Sequence, residues 1–90
     1  MNDHQRRLWK NMIDLIDRYL NNETQDFYGI VGKLEGALDA SEIKDMALIN
    51  QWYDFWIPLE TRRAVEDKHV NRAKATEELT MMKEFLEKYL

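Results

Sequence analysis

Hydrophobic residues recur at intervals of three and four positions along most of the chain, which is the spacing of one face of an α-helix. Polar turns separate four stretches with this pattern, and the pattern predicts helices over residues 3–20, 24–38, 42–67 and 71–89. The spacing differs from the strict alternation that is typical of strands. The sequence therefore predicts an all-α protein, a compact antiparallel four-helix bundle in a single domain, 1–90.

The third predicted helix contains the most aromatic stretch of the chain, residues 48–63. Its apolar line consists of Leu48, Trp52, Phe55 and Leu59. Pro58 interrupts this helix, because proline has no amide hydrogen and its ring clashes with the carbonyl four residues back, that of Asp54. We expect the third helix to be kinked at Pro58 or to break briefly near Ile57. The stretch either bends around the core or presents a concave aromatic surface to a partner.

Residues that can cap helices predict where the helices begin. Thr24 is the predicted N-cap of the second helix, and either Asp39 or Ser41 is that of the third. Asn71 or Thr76 is the predicted N-cap of the fourth helix. Each of these side chains has an oxygen that can accept a hydrogen bond from an unpaired amide in the first helical turn.

Gly29, Gly32 and Gly36 fall on the side of the second helix that lies opposite its apolar stripe. Each glycine inside a helix costs about 1 kcal/mol relative to alanine, so the three together are expensive unless something approaches the backbone closely. We therefore predict a close-packing face. Either another helix of the same domain or an aromatic ring such as Trp9 or Trp56 lies across it, or a partner chain docks there.

The composition excludes several classes of protein. A hydrophobic share of 44% argues against disorder, and the lack of cysteine excludes disulfides and thiolate metal sites. The charged start of the chain does not resemble a signal peptide, and the apolar runs are far too short to span a bilayer. We expect no membrane association and a cytoplasmic location.

The net charge of −4 is unevenly distributed along the chain. Residues 1–13 carry +2, residues 14–54 carry −6, and residues 55–90 carry seven acidic and seven basic groups. An acidic middle segment repels nucleic acid and favours a basic partner. The alternative is that the acidic segment forms only a solvated face.

No catalytic or cofactor motif is present. Residues 29–33 contain two glycines and a lysine, but their spacing is too short for a phosphate-binding loop. Glu66 and His69 have the Glu-x-x-His spacing of di-iron bundles, which need a second such motif and two further glutamates. Glu60 beside Arg63 is interpreted as a half-buried structural ion pair rather than as a catalytic acid. The sequence thus predicts a protein that is not an enzyme and binds neither metal nor cofactor.

Two parts of the chain resemble known bacterial proteins. An apolar helix that ends at Leu20, followed by a polar turn and Thr24-x-x-Phe27, resembles the first hairpin of colicin D-type immunity proteins. Residues 27–35 and 56–64 resemble small bacterial helical proteins of similar kind. The resemblance implies a compact four-helix bundle that blocks a nuclease toxin with acidic groups, and it identifies no inhibitory residue set in this chain.

These observations predict a protein-binding module, in its sharpest form an inhibitor of a basic bacterial nuclease. The acidic residues expected to steer and contact the partner are Asp39, Glu42, Asp45 and Asp54. Tyr53 or Trp56, if exposed, would be the desolvated anchor. The alternative is a self-associating structural bundle, a homodimer that buries the surplus of the wide apolar arcs.

Overall fold

The computed structural model describes residues 1–90, and four α-helices contain most of them. The helices are α1, Asp3–Leu20; α2, Phe27–Ser41; α3, Met46–Glu66; and α4, Arg72–Glu87. The chain contains no β-strand. The predicted all-α four-helix architecture is therefore confirmed, and the bounds of α1 coincide with those predicted.

The helix α2 begins three residues later than predicted, because its N-cap is Asp26 and not Thr24. The hydroxyl of Thr24 accepts a hydrogen bond from the backbone amide of Asp26 (3.1 Å), which forms a local turn before the helix. Asp26 is the N-cap, and its carboxylate accepts from the amide of Gly29 (2.9 Å). The sequence contains two residues that can cap, Thr24 and Asp26, and the second one caps the helix.

The connection between α2 and α3 also differs from the prediction. The helix α2 continues through Asp39 to Ser41, whose hydroxyl donates to the carbonyl of Leu38 (2.6 Å) and so belongs to the end of α2. Glu42 then adopts a left-handed conformation (φ 56°), which ends the helix. Asp45 is the N-cap of α3, so neither Asp39 nor Ser41 caps this helix.

The other two helix starts follow directly from the sequence. Asn2 and Gln5 form a reciprocal capping box at the start of α1. Asn71 caps α4, as predicted, by accepting from the amide of Lys74 (3.1 Å).

Each helix packs antiparallel against the next one in the chain, and α4 closes the ring against α1. Near the start of α1, the indole of Trp9 donates to the carbonyl of Leu86 near the end of α4 (2.8 Å). At the other end of the same pair, Arg72 at the start of α4 donates to the carbonyl of Tyr19 (2.8 Å). The molecule measures 37 × 23 × 19 Å.

The core lies along the axis of the bundle and contains residues from all four helices. The buried hydrophobic residues are Trp9, Met12, Ile16, Tyr19, Phe27, Ile30, Val31, Leu34, Leu38, Trp52, Trp56, Leu59, Ala75, Leu79, Met82, Phe85 and Leu86. All three tryptophans are among them, and the indole of Trp52 donates to the sulfur of Met12 across the core (3.4 Å). Aromatic burial therefore anchors the bundle, as the density of aromatic residues in the third helix predicted.

The helix α3 continues through Pro58 to Glu66, which excludes the break that was one of two expectations for this position. Pro58 is exposed on the outside of the bundle. Because proline cannot donate, the carbonyl of Asp54 lacks the amide partner that it would have in a regular helix. No helix combines the length and the apolar character that are needed to cross a membrane.

Candidate partner-binding surfaces

Four carboxylates lie along the end of α2, the following turn and the cap of α3. They are Glu35, Asp39, Glu42 and Asp45, and we call them the acidic surface. Asp39 and Glu42 accept no side-chain hydrogen bond, and Asp45 accepts the capping bond from the amide of Leu48 (3.2 Å). The short turn between two antiparallel helices therefore brings together three of the acidic residues that were predicted to bind a partner, and adds Glu35.

No ion pair neutralises the acidic surface. Residues 35–45 contain its four carboxylates and a single lysine, so this segment carries a charge of −3. The six ion pairs of the protein join other residues and use none of these four carboxylates. The four carboxylates consequently lack an ion-pair partner within the protein.

Tyr53 lies beside the acidic surface and is hydrogen-bonded to one of its carboxylates. Its hydroxyl donates to the carboxylate of Glu35 (2.9 Å), and its ring stands edge-on to that of Trp56. Burial, the hydrogen bond to Glu35 and the charges of Glu35 and Asp39 together raise the pKa of Tyr53 to about 12. Tyr53 is half-buried, so only part of its ring is available to a partner.

Trp56 does not meet the condition under which it was predicted to anchor a partner. Only 7% of its surface is exposed, and its indole donates to the carbonyl of Val31 in α2 (2.9 Å). Its ring stacks on that of Trp52. Trp56 therefore joins α3 to α2 within the core and is a structural residue. It lies in the core, whereas Tyr53 is partly buried and packs against the core from outside.

Asp54 belongs to a different face of α3. It lies with Phe55 and Pro58 near Glu78 and Met81 of α4, on the side of α3 away from Glu35. Consecutive residues of a helix point about 100° apart, so Tyr53 and Asp54 cannot share one surface here. The five predicted acidic and tyrosine contacts are thus divided between two faces.

The outer side of α3 and α4 forms a shallow groove that sequence reasoning missed. We define the α3–α4 groove by Asp54, Ile57, Pro58, Val65, Glu78 and Met81. Its larger part has a volume of about 450 Å³. Ile57 is 53% exposed, Val65 77% and Met81 51%, so three large apolar side chains face solvent around two adjoining depressions that share Pro58 and Glu78. The signal in the sequence was the position of Ile57 and Val65 opposite the apolar line of α3.

Arg62 holds together the wall of the α3–α4 groove. Its guanidinium makes two hydrogen bonds to Glu78 of α4 (2.7 and 3.1 Å) and one to Glu66 of its own helix (2.8 Å). The amide of Asn71 also donates to Glu66 (2.8 Å), and this bond is the main reason why the pKa of Glu66 is lowered. The polar part of the groove wall is therefore held in position by mutual contacts.

The three glycines of α2 have three different surroundings, and not one common packing face. A Cβ atom at Gly29 would collide with the carboxylate of Asp26, and one at Gly32 would lie 3.1 Å from a guanidinium nitrogen of Arg63. Nothing lies within 4 Å of the corresponding position at Gly36. The predicted close approach thus exists at Gly32, where it involves a third-helix arginine and neither Trp9 nor Trp56.

Arg63 links α3 to α2 and forms the ion pair with Glu60 that the sequence predicted (2.6 Å). It also lies over the ring of Tyr28, 4.6 Å from the ring centre, a contact that the sequence did not predict. Glu66, the other residue considered for chemistry, is bound to Arg62 and to a backbone amide. No group of three or more histidine, cysteine, aspartate or glutamate side chains is arranged to hold a metal ion.

No family model matches this chain, and no curated protein or solved structure matches it. The acidic surface and the α3–α4 groove are therefore the observations from which a function can be inferred.

Proposed function

We propose that this protein is a non-enzymatic module that binds a basic protein partner through the acidic surface. The observation that carries the proposal is the charge of the acidic surface, whose four carboxylates take part in no ion pair and have a single lysine among them in the sequence. Asp39 and Glu42 form neither an ion pair nor a side-chain hydrogen bond, so folding does not require their charges, and like charges repel each other and weaken the compact state. A surface of this kind gains stability when a partner supplies lysine and arginine side chains.

The chemistry of such an interface follows from the side chains present. Unpaired carboxylates steer a basic partner into contact and raise the rate of association, especially at low salt. Met46, next to Asp45 at the start of α3, is 63% exposed and supplies apolar area beside the charges. Tyr53 adds a half-buried ring whose hydroxyl is already bound to Glu35. Met46 is thus better placed than Trp56 to be the side chain that loses water on binding.

In its sharpest form, the proposal is an immunity-like inhibitor of a basic bacterial nuclease. A nuclease surface that binds phosphate is rich in lysine and arginine, and an acidic protein can occupy it in place of nucleic acid. The resemblance of residues 1–27 to the first hairpin of colicin D-type immunity proteins supports this form. Since such an inhibitor acts where nucleic acid is present, a cytoplasmic location is part of the proposal.

The test compares two variants of equal net charge. Asp39→Lys/Glu42→Lys reverses two exposed carboxylates of the acidic surface that accept no capping bond, whereas Asp45 must stay because it caps α3. Glu23→Lys/Glu84→Lys makes the same change in net charge at exposed residues outside the acidic surface. Each protein is used to capture partners from a lysate of the native cell at low and at moderate salt, and the captured proteins are identified by mass.

The purified basic partner is then titrated against both variants. We expect the acidic-surface variant to weaken binding by about tenfold or more, with a smaller salt dependence, and the control variant to bind nearly as well as the original protein. Equal affinities of the two double variants would show that only the net charge matters and would refute a binding site on the acidic surface.

A further inference from the structure

The α3–α4 groove has the dimensions of a binding site for one helix. Ile57 and Val65 are eight residues apart in α3, which places them about 12 Å apart along the helix axis at 1.5 Å per residue. Two turns of a partner helix cover about 11 Å. The exposed Met81 of α4 stands on the opposite side of the groove. Side chains spaced by four and three along a partner helix can therefore enter between these three residues.

Polar groups at the edge of the groove are almost entirely acceptors. Asp54 makes no ion pair and its side chain accepts no hydrogen bond, and its carbonyl lacks the amide that Pro58 cannot provide. Glu66 and Glu78 share the single guanidinium of Arg62. Three carboxylates therefore face one cation, and the edge remains negatively charged. A ligand that covers the groove has to bring hydrogen-bond donors and positive charge.

The bonds within the wall make the groove preformed. Arg62 lies between carboxylates of α3 and α4, with side-chain exposures of 17% for Arg62, 26% for Glu66 and 24% for Glu78. The rings of Phe55 and Phe85 stack at 4.9 Å and join the same two helices further along. Binding here consequently needs little rearrangement of the protein, which lowers its entropic cost.

We propose that the α3–α4 groove binds an amphipathic helix of another protein, with apolar side chains between Ile57, Val65 and Met81 and with lysine or arginine side chains at Asp54 and Glu78. The proposal rests on the proposed function in taking the ligand to be a basic protein, and it adds a second surface and a defined recognition element. The apolar area and the acidic edge are both required, because the first binds the hydrophobic face of the ligand helix and the second binds its basic side chains.

A second copy of this chain does not fit the groove. Two grooves that face each other would bring one acidic edge against the other, which is unfavourable. The start of α1 is basic, with Arg6, Arg7 and Lys10 exposed, but no large hydrophobic residue of α1 is exposed. The most basic helix of a second copy, α1, therefore offers positive charge without exposed apolar side chains.

The experiment uses a labelled 18-residue peptide of leucine and lysine, arranged so that the leucines lie on one face of a helix. A matched peptide of leucine and glutamate tests the role of charge. Both are titrated by fluorescence anisotropy against the complete protein and against Ile57→Ser/Met81→Ser. The control variant Tyr28→Ser/Leu90→Ser removes two hydrophobic side chains that are exposed outside both the groove and the acidic surface, 56% and 53%. All four positions are exposed, and circular dichroism verifies that every variant is folded.

We expect Ile57→Ser/Met81→Ser to weaken binding of the leucine–lysine peptide by about tenfold, since truncated contacts at the centre of an interface have effects of this size. The control variant should bind as the original protein does, and Asp54→Asn should reduce the salt dependence. Equal binding by the groove variant and the control variant, equal binding of the two peptides, or no binding of either would overturn the proposal.

Two further results separate this proposal from the proposed function. If Asp39→Lys/Glu42→Lys abolishes binding of the leucine–lysine peptide while the groove variant retains it, the acidic surface stands and the groove proposal fails. The opposite result supports the groove and removes the acidic surface as the site for this peptide. A dimer in sedimentation equilibrium that Ile57→Ser/Met81→Ser dissociates would make a second copy the occupant and would also overturn the proposal.

Discussion

Replacing the glycines of α2 by alanine one at a time should change the stability of the protein by three different amounts. The three glycines look alike in the sequence, but their surroundings in the structure differ. Gly36→Ala introduces a methyl group into open space within a helix, so nothing opposes the gain in helix propensity. That gain is about 1 kcal/mol, much of it from the smaller conformational freedom of the unfolded chain. For a domain of this size, such a gain raises the midpoint of thermal unfolding by about 4–8 °C.

Gly29→Ala should stabilise the protein much less. The added methyl group would collide with the carboxylate of Asp26, which caps α2 through the amide of Gly29 itself (2.9 Å). The Asp26 side chain then has to rotate, and a lost N-cap costs about 1 kcal/mol, which nearly cancels the gain in propensity. Gly32→Ala should fall between the two, because Arg63 must move by only a few tenths of an ångström while it keeps Glu60.

A double-mutant cycle isolates the collision from the propensity. In the Asp26→Ala background the cap is already absent, so Gly29→Ala should recover its full gain, and the coupling between the two substitutions should be about 1 kcal/mol. Urea unfolding of the four proteins, followed by circular dichroism, gives the free energies of unfolding. If Gly29→Ala stabilised the protein as much as Gly36→Ala does, or if the coupling were zero, the reasoning would be refuted.

Three other predictions concern α3. The pKa of Tyr53 is about 12 in the folded protein and near 10.0 in the unfolded chain. The contribution of this difference to stability is therefore complete below about pH 10 and is lost as the pH rises towards about 12. The urea midpoint of Tyr53→Phe should fall less over this range than that of the original protein. Arg62→Met leaves the carboxylates of Glu66 and Glu78 without their cation and should cost about 1–3 kcal/mol in urea unfolding. Because the amide of Asn71 and, in addition, the guanidinium of Arg62 lower the pKa of folded Glu66, part of this difference should disappear below about pH 4, and a constant difference would contradict the role of the ion pair. Pro58→Ala restores the missing amide and should stabilise the protein by up to about 3 kcal/mol, whereas a loss of thermal stability would show that Pro58 fits α3 without strain.

The four helices were predictable because their apolar spacing is regular and long. The starts of α2 and α3 were not, because each is preceded by several residues that can cap. Asp39 and Glu42 imitate a capping box, yet the backbone at Glu42 turns left-handed and ends the preceding helix instead. Which of the competing caps is used depends on where the chain turns, and tertiary packing decides that turn.

The exposure of single side chains at the candidate surfaces also depends on tertiary packing, which the sequence alone does not reveal. Tyr53 and Trp56 are both aromatic and lie one turn apart, and only the position of α2, whose Val31 carbonyl accepts from Trp56, makes one of them a core residue. The outward position of Ile57 and Val65 is visible in the sequence. Met81 of the α3–α4 groove is 16 residues from Val65 in the chain, and no local pattern predicts that the two line the same groove.

The ring of helices has a consequence for the speed of folding and unfolding. The main packing contacts join helices that are adjacent in the sequence, with the exception of the pair α1 and α4. Chains with mostly local contacts fold within microseconds to milliseconds. The contacts of Trp9 with Leu86 and of Asp17 with Lys83 close the largest loop, so we expect them to form after the folding transition state. Substitutions such as Trp9→Phe should then accelerate unfolding and leave the folding rate almost unchanged, which stopped-flow measurements in urea can establish. The contacts between the first and the last helix would thus determine the lifetime of the folded state.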